Sequence, residues 1–315
     1  MAIQFQKGKT KILKIDGKEP DKLSDVIGKV PLVIVLPDDT AMIKEGSEER
    51  RKFFDGALSQ FDSIYLQNLL KYNKILKQRN SLLKQNDAKS LDYKLIETYD
   101  DQLIPLAIHI SKRRQELKEL FLPFLQKNYA ELHEVGETPD LNFKTQVDEG
   151  FESMFRNNFQ RDQIMQRTLL GSHKDDFEFV LDGELIKKFG SQGQQKTFII
   201  ALKLALYDFL KDKKQQKPLL LLDDIFDSLM SGDHTKHDGV GSVFGTKNVT
   251  NRLNASRVLH FKNSQARQEY SVKFGEPSLK ENVLGVITTS TRNIALMQTL
   301  GTNPKDTAEK VLALL

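Results

Sequence analysis

The sequence predicts an α/β fold: a mixed sheet with flanking helices, and beside it a long antiparallel pair of helices that forms an arm. Three observations predict it. Residues 31–36 (P-L-V-I-V-L) and 219–222 (L-L-L-L) are continuous apolar runs of strand length, the pattern of strands buried on both faces. Between them, residues 47–124 carry apolar side chains at three- and four-residue steps over more length than one ordinary helix needs. A Ser/Gly/Gln turn at 191–194 then opens a helical pattern that leads to the second apolar strand, and that strand ends in Asp223-Asp224.

Composition sets outer bounds. A chain of 315 residues can bury a sizeable core in one large or two modest domains. Charged residues are 29% of the chain, and no apolar run approaches the about 18 residues that cross a bilayer, so a soluble protein with no membrane partner is expected. No basic-then-apolar leader opens the chain. The absence of cysteine excludes disulfides and thiolate metal sites, and it fits a cytoplasmic location. A net charge of +4 is compatible with nucleic acid but too weak to argue for it alone.

In chain order, residues 1–16 alternate polar and apolar around a turn at Lys7-Gly8 and read as β structure. Gly8-Lys9-Thr10 imitates the end of a phosphate loop. A true loop needs a glycine five residues before the last one, where Ile3 stands, so the match is a decoy. Residues 21–29 suit a short helix. Residues 31–36 form a buried strand that Pro37-Asp38-Asp39 ends, and these carboxylates either serve a site or cap the next helix.

Ser47 opens the helical region, with Glu48 and Glu49 at the positive end of the helix dipole. Leu66, Leu69, Leu76 and Leu83, with Asn73 and Asn80 between them, form a coiled-coil-like seam. Residues 86–90 are a polar hinge. The second arm helix follows, with Leu103, Leu106, Ile110, Leu117, Leu120 and Phe124 on one face, and Pro105 and Pro123 as kinks or boundaries. Basic residues cluster on or near this arm: Arg50-Arg51-Lys52, Lys77 and Arg79, and Lys112-Arg113-Arg114. They read either as a solvated helical face or as a track for DNA phosphates.

Beyond the arm, 134–138 is a loop and 141–146 a strand. Residues 151–167 form an amphipathic helix around Phe151, Phe155, Phe159 and Ile164, and 168–182 returns to β pattern, with a turn at Gly183. Residues 231–251 have no period. Residues 283–288 suit a strand and 306–315 a terminal helix.

The chemistry concentrates in 189–230. A buried strand ending in two carboxylates can hold a magnesium ion on Asp223 and orient or deprotonate water with Asp224, or it can simply stop at two solvated carboxylates. At the start of the preceding helix, backbone N–H groups and the helix dipole attract anions. Gly193 permits close backbone approach, Ser191 offers a hydroxyl and Gln194 can contact a nucleotide. Together they have the form of a signature motif followed by a Walker B strand, as in ABC-type ATPases.

The segments G-S-E-E-R-R-K-F-F-D (46–55), Y-N-K-I-L-K-Q-R-N-S-L-L-K (72–84), G-S-H-K-D-D-F-E-F (171–179), S-Q-G-Q-Q-K-T (191–197) and L-L-L-D-D-I-F-D (220–227) resemble those of the RecF proteins of bacterial DNA repair, relatives of the SMC-type ATPases, in the same order. The resemblance implies part of an ABC-type ATPase head at 1–45, a helical arm at 46–135, and head with signature motif and Walker B at 136–230. It leaves a divergent C-terminal segment at 231–315. It implies a homodimer of heads closing on ATP and Mg2+, with Ser191, Gly193 and Gln194 acting on the partner's nucleotide. Asp223 would be the metal ligand and Asp224 the base of a slow DNA-stimulated ATPase. It further implies binding to double-stranded DNA near single-strand gaps, and RecR and RecO as partners in loading the recombinase.

The departures are as informative. No G-x-x-x-x-G-K-[ST] occurs, Met230 stands where the family has the D-loop aspartate, and Ser172 replaces a usual proline. Residues 286–289 resemble only faintly the late nucleotide-sensing strand. The expectation is a RecF-like chain truncated at its N-terminus, with a non-catalytic DNA- or protein-binding remnant of an SMC-like ATPase as the alternative.

Overall fold

The structure, a computed structural model, describes residues 2–4, 12–14, 18–84, 92–132, 136–222 and 287–288. The first expectation holds: β1 (Ala2–Gln4) and β2 (Ile12–Lys14) pair antiparallel. The helix expected at 21–29 tightens to a single 3-10 turn, Leu23–Val26. Gly28 follows at φ +80°, where a Cβ would lie 1.9 Å from the carbonyl oxygen of Gln60, so only glycine lets these segments meet.

Strand β3 (Leu32–Val35) is buried as its β-branched run predicts, and a 3-10 turn at Pro37–Thr40 leads to α1 (Ala41–Lys44). Helix α2 (Ser47–Phe61) ends at Asp62, which is extended and caps α3 (Ser63–Leu83) by accepting the Tyr65 N–H at 2.9 Å. The long helix expected from Ser47 is therefore two. Helix α4 (Tyr93–Leu132) has 40 residues, about 60 Å at 1.5 Å per residue. It runs through Pro105 and Pro123 without ending. Leu103, Ile104 and Ala107 are buried around the first proline, and Phe121 and Leu125 around the second, so tertiary packing offsets the lost backbone bonds. Leu83 meets Ile96, Arg79 meets Asp100 and Arg114 meets Tyr65, the register of an antiparallel pair.

Next come β4 (Pro139–Lys144), α5 (Phe151–Asn157) and α6 (Phe159–Ile164). The single amphipathic helix expected at 151–167 is divided. Phe151 and Phe155 are buried, but Ile164 is 79% exposed. Strands β5 (Asp176–Leu181) and β6 (Glu184–Leu185) complete an antiparallel sheet in the order β4-β5-β6. Helices α7 (Ile186–Phe189) and α8 (Gln192–Lys214) lead to β7 (Leu219–Leu222), which runs parallel to β3 on one side and to β8 (Ile287–Thr288) on the other. The polar hinge, Gly8-Lys9-Thr10, residues 231–251 and the terminal helix lie outside the described residues, as does all of the expected 283–288 strand except its last two residues.

One hydrophobic core joins these parts. It runs from Val33 through Phe54, Ile110, Phe121, Phe177, Phe198 and Phe209 to Leu220. Phe54 stacks on Phe177 with centroids 4.0 Å apart and meets Phe121 edge-on at 5.7 Å. On α8, Phe198, Leu202, Ala205 and Phe209 are fully buried, the face its spacing predicted. On α3 the seam differs from the expected one. Asn73 is exposed and Leu69 and Leu76 are half-buried, while Tyr65, Tyr72 and Arg79, seven residues apart, lie innermost. Partners elsewhere in the fold meet their polar ends, all but Nη2 of Arg79, so large polar side chains take a face that hydrophobicity alone would give to leucine.

Candidate functional site

The turn before α8 is built by its own side chains. Ser191 is extended (φ −61°, ψ 163°) and is the N-cap. Its Oγ accepts the Gln194 N–H at 3.2 Å, and its own N–H donates to Gln194 Oε1 at 2.7 Å, a reciprocal capping box. Ser191 and Gln192 are exposed and Gly193 is half-buried. Of the first-turn N–H groups of this 23-residue helix, that of Gln194 is taken by the cap; those of Gln192 and Gly193, at the positive end of the dipole, fit an anion. Gln194 differs from expectation. Its carboxamide NH2 donates to Glu137 Oε1 at 2.7 Å, so in this structure both ends of the side chain are engaged within the protein.

Strands β3 and β7 are parallel, so their C-terminal ends open toward the same side. Of the carboxylates after β3, Asp38 is exposed. Asp39 accepts the Leu36 N–H at 2.6 Å and Lys203 Nζ at 2.8 Å. Lys203 also reaches the Ile34 carbonyl at 2.7 Å, tying α8 to the end of β3. Burial pushes the Lys203 ammonium below its usual pKa, against the pull of Asp39. Asp223 and Asp224 lie outside the described residues. Among the described residues no group of three or more His, Asp or Glu could hold a metal ion.

The basic residues expected on a DNA track divide sharply: Arg50, Arg79 and Arg114 are buried. Arg79 is fully buried. It donates to Asp100 at 2.6 Å, Asp162 at 2.7 Å and Thr168 at 2.9 Å, with its guanidinium over the Phe155 ring. Arg114 is buried between Asp55, held by two bonds of 2.9 Å, and Asp175 at 2.9 Å. Arg50 grips Asp176 at 2.8 and 3.0 Å and donates to the Met42 carbonyl. The guanidinium fork matches a carboxylate in two places at once, so it can be paired inside a protein where a lone cation could not stay. Arg51 is half-buried on Ser47 and the Asp175 carbonyl, and Arg113 is held by Asp62 and Glu116. Of the seven expected residues, only Lys77 and Lys112 are exposed.

These pairs join the segments that carry the family resemblance. Arg50 and Arg51 of 46–55 bind Asp176 and Asp175 of 171–179, and Asp55 shares Arg114 with Asp175. Burial raises the Asp175 pKa, and Arg114 opposes it. Tyr72 donates to His173 Nδ1 at 2.7 Å, and His173 Nε2 donates to the Thr168 carbonyl at 3.0 Å. Burial holds the His173 pKa down to about 4, so the ring is neutral, which fixes this tautomer. Gly171, at φ +128°, passes so close that a Cβ would lie 2.5 Å from the Tyr72 hydroxyl.

Sequence reasoning missed Asp55, Tyr72, Tyr129, Glu137 and His173. It also missed three lysines that stand on the same helical stretch as Lys77: Lys71, Lys74 and Lys84 are exposed as Lys77 is, and none of the four joins an ion pair among the described residues. The signal was available, because residues 63–84 contain no Asp or Glu at all.

No family model matches the chain. It is 45% identical over 224 residues to the DNA replication and repair protein RecF of Cytophaga hutchinsonii, covering 70% of this chain and 59% of that one. It is 41% identical over 259 residues to RecF of Parabacteroides distasonis, covering 79% of this chain and 69% of the relative. Against the Cytophaga hutchinsonii and Flavobacterium johnsoniae proteins it spans about three fifths of their length, 59% and 63%. Among solved structures it is similar to the recombination mediator protein RecF with ATP, of the RecFOR pathway. The TM-score is 0.66 at 27% identity, over 77% of this chain and 67% of the other. A second such structure, RecF-ATPrS, gives 0.66 at 28%. Among the described residues no helix is long and apolar enough to cross a membrane.

Proposed function

The chain belongs to the RecF family of DNA replication and repair proteins, and from that premise we propose that it contributes the signature face of an ATP-closed pair of heads and carries double-stranded DNA on its arm. The observation that carries the first part is the boxed, outward-facing turn at 191–194. Ser191 and the backbone at Gly193 would receive the terminal phosphate of a nucleotide held by a partner head, with Gln194 holding the turn in shape. Asp223 would take the magnesium ion and Asp224 the attacking water. When bound, ATP with its metal supplies the charge that draws two heads together. What this chain adds is a fixed set of donors, ready before the phosphate arrives. In the RecFOR reading, with RecR and RecO as partners, closure near a single-strand gap would support recombinase loading.

Mixing this chain with full-length RecF from Cytophaga hutchinsonii tests the first part. ATP, but not ADP, should produce a mixed dimer by analytical ultracentrifugation, and Ser191→Arg should abolish it. Equal association in ATP and ADP would refute the role of the turn. The chain by itself carries no G-x-x-x-x-G-K-[ST] segment, so calorimetry with it alone should show no micromolar ATP binding.

The DNA part rests on α3. Lys71, Lys74, Lys77 and Lys84 extend over about 20 Å of helix with no carboxylate on the same helix. A duplex backbone complements such a row. Neutralising about four phosphates predicts a salt slope near −3.6, or roughly a 150-fold loss of affinity between about 50 and 200 mM salt. The double variant Lys74→Ala/Lys77→Ala should flatten that slope by about 1.8. An unchanged slope would move the DNA elsewhere.

A further inference from the structure

We infer that Glu137 and Tyr129 are positioning residues for the turn at 191–194, acting on it from the far end of α4. The inference rests on the role proposed above for that turn. Gln194 bridges two demands. The Ser191 N–H needs an oxygen, which Oε1 supplies at 2.7 Å. Glu137 needs a donor, which the NH2 supplies at 2.7 Å. A carboxamide can rotate by half a turn and exchange its oxygen and nitrogen at almost no cost in shape. Here the exchange would set oxygen against a carboxylate and NH2 against an N–H. A carboxylate at 137 therefore selects one orientation of Gln194. Through it, Glu137 selects the extended backbone of Ser191 that starts the helix.

The other oxygen of Glu137 accepts the Tyr129 hydroxyl at 2.6 Å. Tyr129 is fully buried on α4 and packs against Phe198 of α8, with ring centroids 6.2 Å apart. The relay is thus anchored in the core rather than in the loop. Burial and the neighbouring carboxylate hold the Tyr129 phenol well above its usual pKa, so it remains a donor. The Ser191 Oγ already accepts from the Gln194 N–H, which leaves the hydroxyl hydrogen to point at an incoming anion. The consequence is a phosphate-receiving turn whose donors are aimed in advance from a residue that need not touch the phosphate.

Two measurements test this on the full chain. In hydrogen exchange, Glu137→Ala should speed exchange of the Ser191 and Gln194 amides by about tenfold or more, the scale of a lost hydrogen bond to a charged group. The amides from Phe198 to Phe209 should be unchanged. Glu137→Gln still offers Gln194 an oxygen and should stay within about threefold of wild type, and Tyr129→Phe should fall between the two. Unchanged exchange at Ser191 in Glu137→Ala, or loss of protection along all of α8, would overturn the inference.

ATP-dependent pairing with the Cytophaga hutchinsonii protein should weaken about tenfold in Glu137→Ala and recover in Glu137→Gln, at equal thermal stability. Pairing unaffected by Glu137→Ala would also overturn it. If the wild-type chain does not pair in ATP at all, the proposed role of the turn fails, while the exchange experiment still decides whether the relay exists.

Discussion

Arg79 and Arg114 are the residues on which sequence and structure part most instructively. Both stand in basic clusters, and both are interior. Removing either takes the bonded guanidinium from interior or half-buried carboxylates: Asp100 and Asp162 in one case, Asp55 and Asp175 in the other. Arg114→Ala should therefore cost about 3–5 kcal/mol in denaturant unfolding, whereas Lys112→Ala, two residues away and exposed, should change stability by less than about 0.5 kcal/mol. Similar losses for both would contradict the buried assignment. His173 makes a second prediction at this scale. Its folded pKa, about 4, lies below the usual 6.5 because it is buried neutral. The unfolded chain therefore binds more protons between these values. The contribution of His173 is complete above about pH 6.5 and is lost as pH falls toward 4, with a slope of at most roughly 1.4 kcal/mol per pH unit. Unfolding measured at several pH values in this window should show that slope, and His173→Gln should flatten it.

At the scale of elements, periodicity located most of what matters. The parallel partners β3 and β7, the buried face of α8, the cap at Ser191 and the two arm helices follow from apolar spacing and turn chemistry, which are local properties of the chain. What stayed hidden is non-local. Nothing in residues 47–61 announces that Asp62 will turn back and cap the next helix, because its capping value depends on the chain direction there. Pro105 and Pro123 read as boundaries until the packing of Leu103, Ile104 and Phe121 is known. Arg79 reads as surface because hydrophobic patterning scores a charge without seeing the two aspartates that meet it. Gln194 was recognised, but its orientation was not, since Glu137 is 57 residues away in sequence. In α3, by contrast, the absence of acidic residues was plainly legible, and its lysines are the part of the arm on which the salt dependence of DNA binding should depend.

At the scale of the molecule, the segments that mark the family are mutual partners. The Arg50-Arg51 pair, Asp55 and Asp175-Asp176 meet around Arg114, where α2, α4 and β5 come together. One continuous core runs from β3 through α4 to β7, so α3, α4 and α8 are packed on each other rather than hinged. A 40-residue helix carries this continuity from the region of the lysine row to the residues that hold Gln194. In the proposed pairing, the turn at 191–194 acts on a nucleotide held by another head. The most direct test uses full-length Cytophaga hutchinsonii RecF whose own signature turn has been disabled, so that its bound ATP lacks a partner's donors. Adding this chain should restore ATP hydrolysis in proportion to the mixed dimer formed, and adding its Ser191→Arg variant should not. Equal restoration by the wild-type chain and the variant, or none by either while the mixed dimer forms, would contradict the account.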